Sequence, residues 1–125
     1  MSLPPYGSSP GLADSAALTA AISNFNKVGY AGNVIAAGVG QTDATQLAQT
    51  APLVQVNDTG VGTGVRLPPA IPGAIMLIFN NGNVDLLVYG FLATDYVGGG
   101  QSPTTITASS ANLFFCALAN SWGVA

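Results

Sequence analysis

The charged inventory of this 125-residue chain is short: Asp14, Lys27, Asp43, Asp58, Arg66, Asp85 and Asp95, with no Glu and no His. A histidine-dependent device, whether Ser-His-Asp, Cys-His or a His-bearing zinc site, is therefore out of reach. Cys116 stands alone, so the chain makes no internal disulfide and offers no cysteine cluster to a metal. It falls in the apolar run Leu113 to Leu118, where a cysteine packs as a small hydrophobe and no basic neighbour activates its thiol. Two cations do not track a phosphate backbone, which argues against charge-driven nucleic-acid binding.

Other patterns have chemical readings that weaken in context. Gly60-Val61-Gly62-Thr63-Gly64 is glycine-rich, but a phosphate-cradling loop needs Gly-Lys-Ser/Thr opening a helix, and Val65-Arg66-Leu67-Pro68 follows instead. Two carboxyl groups roughly 5–9.5 Å apart would suit glycoside hydrolysis. Asp58, Asp85 and Asp95 fall among the Asn, Thr and Gly residues of expected turns, where turn stabilisation is the ordinary role. The spacing of a calcium-binding helical loop is absent. Tyr6, Tyr30, Tyr89, Tyr96 and Trp122 form no sugar-binding stripe, and Trp122 is expected in the core. Arg66 is expected to pair with an Asp, within the subunit or across an interface. No catalytic residue, metal ligand or cofactor follows from these residues, and no enzyme is expected.

Charged residues make up 6% of the chain, against about 25% in an ordinary soluble domain. Ser, Thr, Asn and Gln carry the polar load instead, at 33 of the 125 residues. Near-neutral surfaces associate, so a surface largely covered by partners is expected. The apolar runs at 74–79 and 86–92 are far shorter than the roughly 20 residues of a spanning helix. The start, Met1 to Gly7, has neither a basic n-region nor an apolar h-region, so a soluble protein made in the cytosol is expected, with no membrane contact.

Three segments organise the chain. Residues 1–11, with Pro4, Pro5 and Pro10, read as an extended N-terminal arm. Residues 12–28 read as a helical segment: Asp14 or Ser15 caps it, Leu18, Ile22 and Phe25 share one face, Lys27 suits its last turn and Gly29 stops it. Residues 29–125 read as one mainly β domain, an antiparallel β-sandwich or jelly roll. Its expected strands cover 33–37, 52–57, 64–68, 104–108, 113–118 and 122–124, with Asp43 capping a helical turn over 43–49. The strongest local signal is a hairpin in which Asn81-Gly82 turns, Asn80 faces Asn83 and Phe79 faces Val84. One of its faces carries Ile75, Leu77, Phe79, Val84, Leu86 and Val88; the other carries Met76, Ile78, Leu87 and Tyr89. Both are apolar, so one must be covered by a partner or another layer. No exact internal repeat is present.

Residues 33–125 resemble small structural proteins of tailed-phage virions. The likeness lies in Gln41-Thr42-Asp43-Ala44-Thr45-Gln46-Leu47, Gly62-Thr63-Gly64-Val65-Arg66-Leu67-Pro68, Pro72-Gly73, Asn80-Asn81-Gly82, Leu87-Val88-Tyr89 and the terminal Trp122. It departs where Gly90-Phe91 replaces the usual proline and a Gly98–Gly100 loop follows. The resemblance implies a β-sandwich capsid decoration, or cement, protein on the virion surface. Its implied partners are the major capsid protein and further copies of itself, as a homotrimer or a dimer. A tail or fibre adhesion module is the alternative. The contact residues expected on this basis are Leu3, Pro4, Pro5 and Tyr6 of the arm, Arg66, and Met76, Ile78 and Tyr89 on the free face of the hairpin.

Overall fold

A computed structural model describes residues 29–58 and 60–125. The arm at 1–11 and the helical segment at 12–28, with Leu3, Pro4, Pro5 and Tyr6, lie outside the described residues. Ten strands follow one another: β1 (Tyr30–Ile35), β2 (Thr45–Gln46), β3 (Leu53–Asp58), β4 (Gly64–Arg66), β5 (Ile75–Asn80), β6 (Leu86–Tyr89), β7 (Tyr96–Val97), β8 (Thr104–Ile106), β9 (Ala111–Leu118) and β10 (Ser121–Val124). The chain is mainly β, with no helix among the described residues.

The strands form two sheets. Sheet I has the order β1-β3-β5-β9-β10-β7 and sheet II the order β2-β4-β6-β8. The first six strands alternate between the sheets, and each of the first four pairs in parallel with the strand two places on. The path is a coil of three rungs. Val54 lies between Ala31 and Ile78 in sheet I, and Val65 between Thr45 and Val88 in sheet II. The chain then reverses: β8 runs antiparallel to β6, and β9 antiparallel to β5. This solenoid-like winding replaces the expected antiparallel sandwich or jelly roll. The crossover that a parallel pair requires is supplied here by the opposite sheet.

The hairpin expectation fails for a local reason. β5 and β6 belong to different sheets and do not pair. Asn80 is fully buried, and its side-chain amide donates to the carbonyls of Val84 (2.8 Å) and Ile106 (3.0 Å), while its Oδ1 accepts from Gly82 N at 2.9 Å. That side chain carries the backbone round the corner between the sheets, where a two-residue loop would have turned it back. A second corner explains the missing helical turn at 43–49. Asp43 Oδ1 accepts from Val39 N and Gly40 N, so it closes the loop before it, and Thr45–Gln46 is strand. Gly38 in this corner has φ +77°, and a Cβ there would lie 2.4 Å from the Asp43 carbonyl oxygen, so only glycine fits.

One buried cluster lies between the sheets. Val54, Val56, Met76, Ile78, Phe114 and Trp122 enter it from sheet I, and Val65, Leu86, Val88 and Ile106 from sheet II. Alternation then sets the other face. In β5 the buried residues are Met76, Ile78 and Asn80, so Ile75, Leu77 and Phe79 point outward. Replacing Asn80 with Ala leaves two carbonyls and an amide of a buried corner without their partner. The expected loss is about 2–4 kcal/mol, read as a lower urea midpoint with an unchanged slope.

Candidate functional site

The outer face of sheet I is built by register. Tyr30 pairs with Leu53, Leu53 with Leu77, and Leu77 with Leu113, which makes one row across β1, β3, β5 and β9. Ile75 pairs with Phe115 beside that row, and Phe115 with Gly123. A Cβ on Gly123 would lie 2.4 Å from the Phe115 ring, so the absence of a side chain in β10 gives that ring its seat. Ile75 is 59% exposed, Phe115 40%, and Leu77 and Leu113 each 38%. Of the described charged residues, Asp43, Asp85 and Asp95 lie outside the strands and Arg66 is in sheet II, while Asp58 ends β3. A contiguous apolar face of this kind is characteristic of an interaction surface.

Amides border the apolar rows. The Tyr30 hydroxyl donates to Gln55 Oε1 at 2.7 Å, and Gln55 Nε2 donates to Asn57 Oδ1 at 2.7 Å. Asn57 Nδ2 donates to Asn33 Oδ1, and Asn81 Nδ2 donates to Asn57 Oδ1 at 3.1 Å. The three asparagines are separated by 24 residues each, one per rung of the coil. Asn33 takes φ +56° beside a register shift in β1, a conformation that asparagine tolerates.

A cavity of about 590 Å³ opens where β3 and β5 begin. Its lining includes Pro52, Ile71 and Ile75, with Pro68, Met76 and Trp122 as its buried members. Gln49 is the only amide side chain in the lining, and no charged residue lines it. Ile75 belongs to both the cavity and the outer face, so the two are continuous.

Several expected sites lie elsewhere. Met76 and Ile78 are 1% and 0% exposed and fill the core, so the assignment of the hairpin's free face was inverted. The even-numbered positions of β5 face sheet II, and the odd ones are outside. Tyr89 is half-buried in β6, opposite Arg66. Arg66 makes no ion pair among the described residues: its Nε donates to Gln46 Oε1 at 2.6 Å, and its guanidinium lies 5.7 Å from the centre of the Phe91 ring. Gln41 Nε2 holds the neighbouring loop through the carbonyls of Gly90 and Phe91. The outward row Ile75, Leu77, Leu113 and Phe115 was missed as a contact surface. Its signal was the odd-numbered periodicity of two apolar strands.

The remaining chemical candidates have structural roles. Gly60 to Gly64 forms a tight turn, with Thr63 N and Oγ1 both donating to the Gly60 carbonyl. Asp95 is buried, and its Oδ2 accepts from Leu92 N at 3.0 Å. Asp95 Oδ1 and Trp122 Nε1 are buried without a hydrogen-bond partner. No group of three or more metal-ligating side chains comes together among the described residues. No helix among them is long and apolar enough to cross a membrane. No protein-family model matches the chain, and comparison with curated proteins and with solved structures finds no match.

Cys116 is 3% exposed, and its thiol donates to the Leu118 carbonyl. Burial pushes its pKa above the ordinary 9.0, with the nearby Asp95 charge adding to the rise. The native state therefore holds the neutral thiol. The stability this gives is complete below the unfolded thiol's range and is lost as pH rises through the raised native value. The denaturation midpoint is expected to fall as pH rises past about 9, and to fall less in Cys116→Ala. Alkylating reagents are expected to modify Cys116 only after unfolding.

Proposed function

We propose that this chain is a non-enzymatic virion subunit, a decoration or cement protein that binds a phage head between capsomers and associates with copies of itself. The observation that carries this reading is the apolar outer face of sheet I, with Ile75, Leu77, Leu113 and Phe115 partly exposed in neighbouring strands. Burying an apolar contact is worth about 25 cal/mol per Å² of surface, and subunits with only 6% charged residues lie side by side on a shell with little repulsion. Many such contacts repeated over a lattice hold far more tightly than one alone.

A tail or fibre module that binds glycans is the second reading. It is favoured by Tyr30, 58% exposed, standing beside the amides of Gln55, Asn57, Asn33 and Asn81. An aromatic ring flanked by amides offers both stacking and hydrogen bonds to a sugar.

Cryo-electron microscopy of virions carrying a tagged copy is expected to place regular density on the head surface. Density on the tail, with specific binding on a glycan array, would give the assignment to the second reading. The Leu77→Lys/Leu113→Lys variant should fold with about 1–2 kcal/mol lost, because both positions are partly exposed and the two lysines stand directly opposite each other. Its head occupancy should fall about tenfold or more, since each lysine must be desolvated at the contact. Full occupancy by this variant would rule out the sheet I face as the attachment surface.

A further inference from the structure

We propose that two copies of this chain meet on the outer face of sheet II, through reciprocal ion pairs between Arg66 of one copy and Asp85 of the other. This rests on the self-association in the proposed function and names the face that carries it. It does not depend on what the outer face of sheet I binds.

Among the described charged residues, Asp43 and Asp95 accept hydrogen bonds from backbone amides of their own loops. Asp85 is exposed, and its carboxylate bonds no described residue. Arg66 has no described carboxylate beside it, yet its guanidinium is held in place. Gln46 Nε2 donates to the carbonyls of Leu47 (2.8 Å) and Leu67 (3.1 Å), which turns Gln46 Oε1 toward Arg66 Nε at 2.6 Å. The Phe91 ring centre lies 5.7 Å from the same guanidinium. The Nε edge is thus occupied, and the two terminal Nη groups are left to take both oxygens of a carboxylate. Ordering a long cation costs rotamer entropy, and here no ion pair within the described chain offsets it. The geometry is that of a site prepared for a carboxylate from outside.

The register names the source. The core takes Val65, Leu86 and Val88, so Arg66, Leu87 and Tyr89 point outward. Arg66 pairs with Tyr89 across β4 and β6. Asp85 directly precedes β6, and the same alternation sets it on this side, about 13 Å along the strand from Tyr89. The face therefore has an acid at one end, half-buried Leu87 in the middle, and a cation beside Tyr89 at the other end. That pattern is self-complementary. A twofold axis across Leu87, in the plane of contact, exchanges the two ends: each Asp85 meets the Arg66 of the other copy, and Leu87 meets Leu87. The contact is isologous and its two ion pairs are equivalent. A second copy satisfies both charges at once, whereas a partner offering only a carboxylate would leave Asp85 without a cation.

The test is charge exchange in the full chain. Sedimentation equilibrium should show a dimer for the parent. Asp85→Arg and Arg66→Asp each place like charges in both contacts, and each alone should dimerise about tenfold more weakly or worse. Mixed, the two variants regain an opposite-charge pair at both contacts, so they should form a 1:1 heterodimer of near-parental strength. Asp85→Arg alone decides the matter if Arg66→Asp does not fold, because Asp85 is exposed and holds nothing in its own chain. Raising NaCl from about 0.05 M to about 0.5 M should weaken the parent dimer and strengthen that of Asp85→Arg, since salt screens attraction in the first and repulsion in the second. A monomeric or trimeric parent would overturn the proposal. So would parent-like dimerisation by Asp85→Arg, the result expected if Arg66 takes a carboxylate of its own chain. A mixture of folded variants no stronger than either alone would overturn it too. Loss of head binding by Leu77→Lys/Leu113→Lys with a normal dimer would leave the sheet II contact standing. Failed charge exchange with normal head occupancy would remove that contact alone, which separates the two claims.

Discussion

The inner side chains of the two sheets meet in one cluster, with Val54, Val56 and Ile78 on one wall and Val65, Leu86 and Val88 on the other. Their burial supplies the main favourable term for folding. It also fixes direction: once Met76 and Ile78 face inward, Ile75 and Leu77 must face outward. The in-register stack repeats this choice in each rung, so the partly exposed row from Tyr30 to Leu113 is a by-product of how the core is built.

Polar groups at the corners keep that stack in register. Asn80 holds one corner with its amide and Asp43 another with its carboxylate. Neither performs chemistry, and both bond backbone groups that the strands leave unpaired. With 6% charged residues, the chain spends several of its few ionisable side chains on architecture: Asp43 and Asp95 bind backbone amides, and Arg66 is held by Gln46 and Phe91.

Local features were legible in the sequence. The strands at 53–58, 64–66, 75–80 and 111–118 lie where alternation and turn residues place them, and Cys116 and Trp122 are buried as their surroundings imply. Pairing was not legible, because alternation sorts residues by face and says nothing about the neighbouring strand. Asn81-Gly82 favours a two-residue turn, yet the buried Asn80 amide overrides it from one position earlier. The direction of β5 was ambiguous for a related reason. Both of its faces are apolar, and only the position of sheet II decides which is inside. The recurrence of asparagine at 33, 57 and 81 is visible in the chain, but it acquires meaning only when the coil brings these residues together.

The amide ladder also constrains how such a chain can change length. Asn33, Asn57 and Asn81 meet because each rung between them consumes the same number of residues. Adding or losing one residue inside a strand would carry every later side chain to the opposite wall and break the stack of amides. Adding a whole rung would preserve both. Growth in this half of the molecule is thus quantised, and variation by single residues falls to the corners, where a loop absorbs the difference, or to a bulge such as the one beside Asn33 in β1.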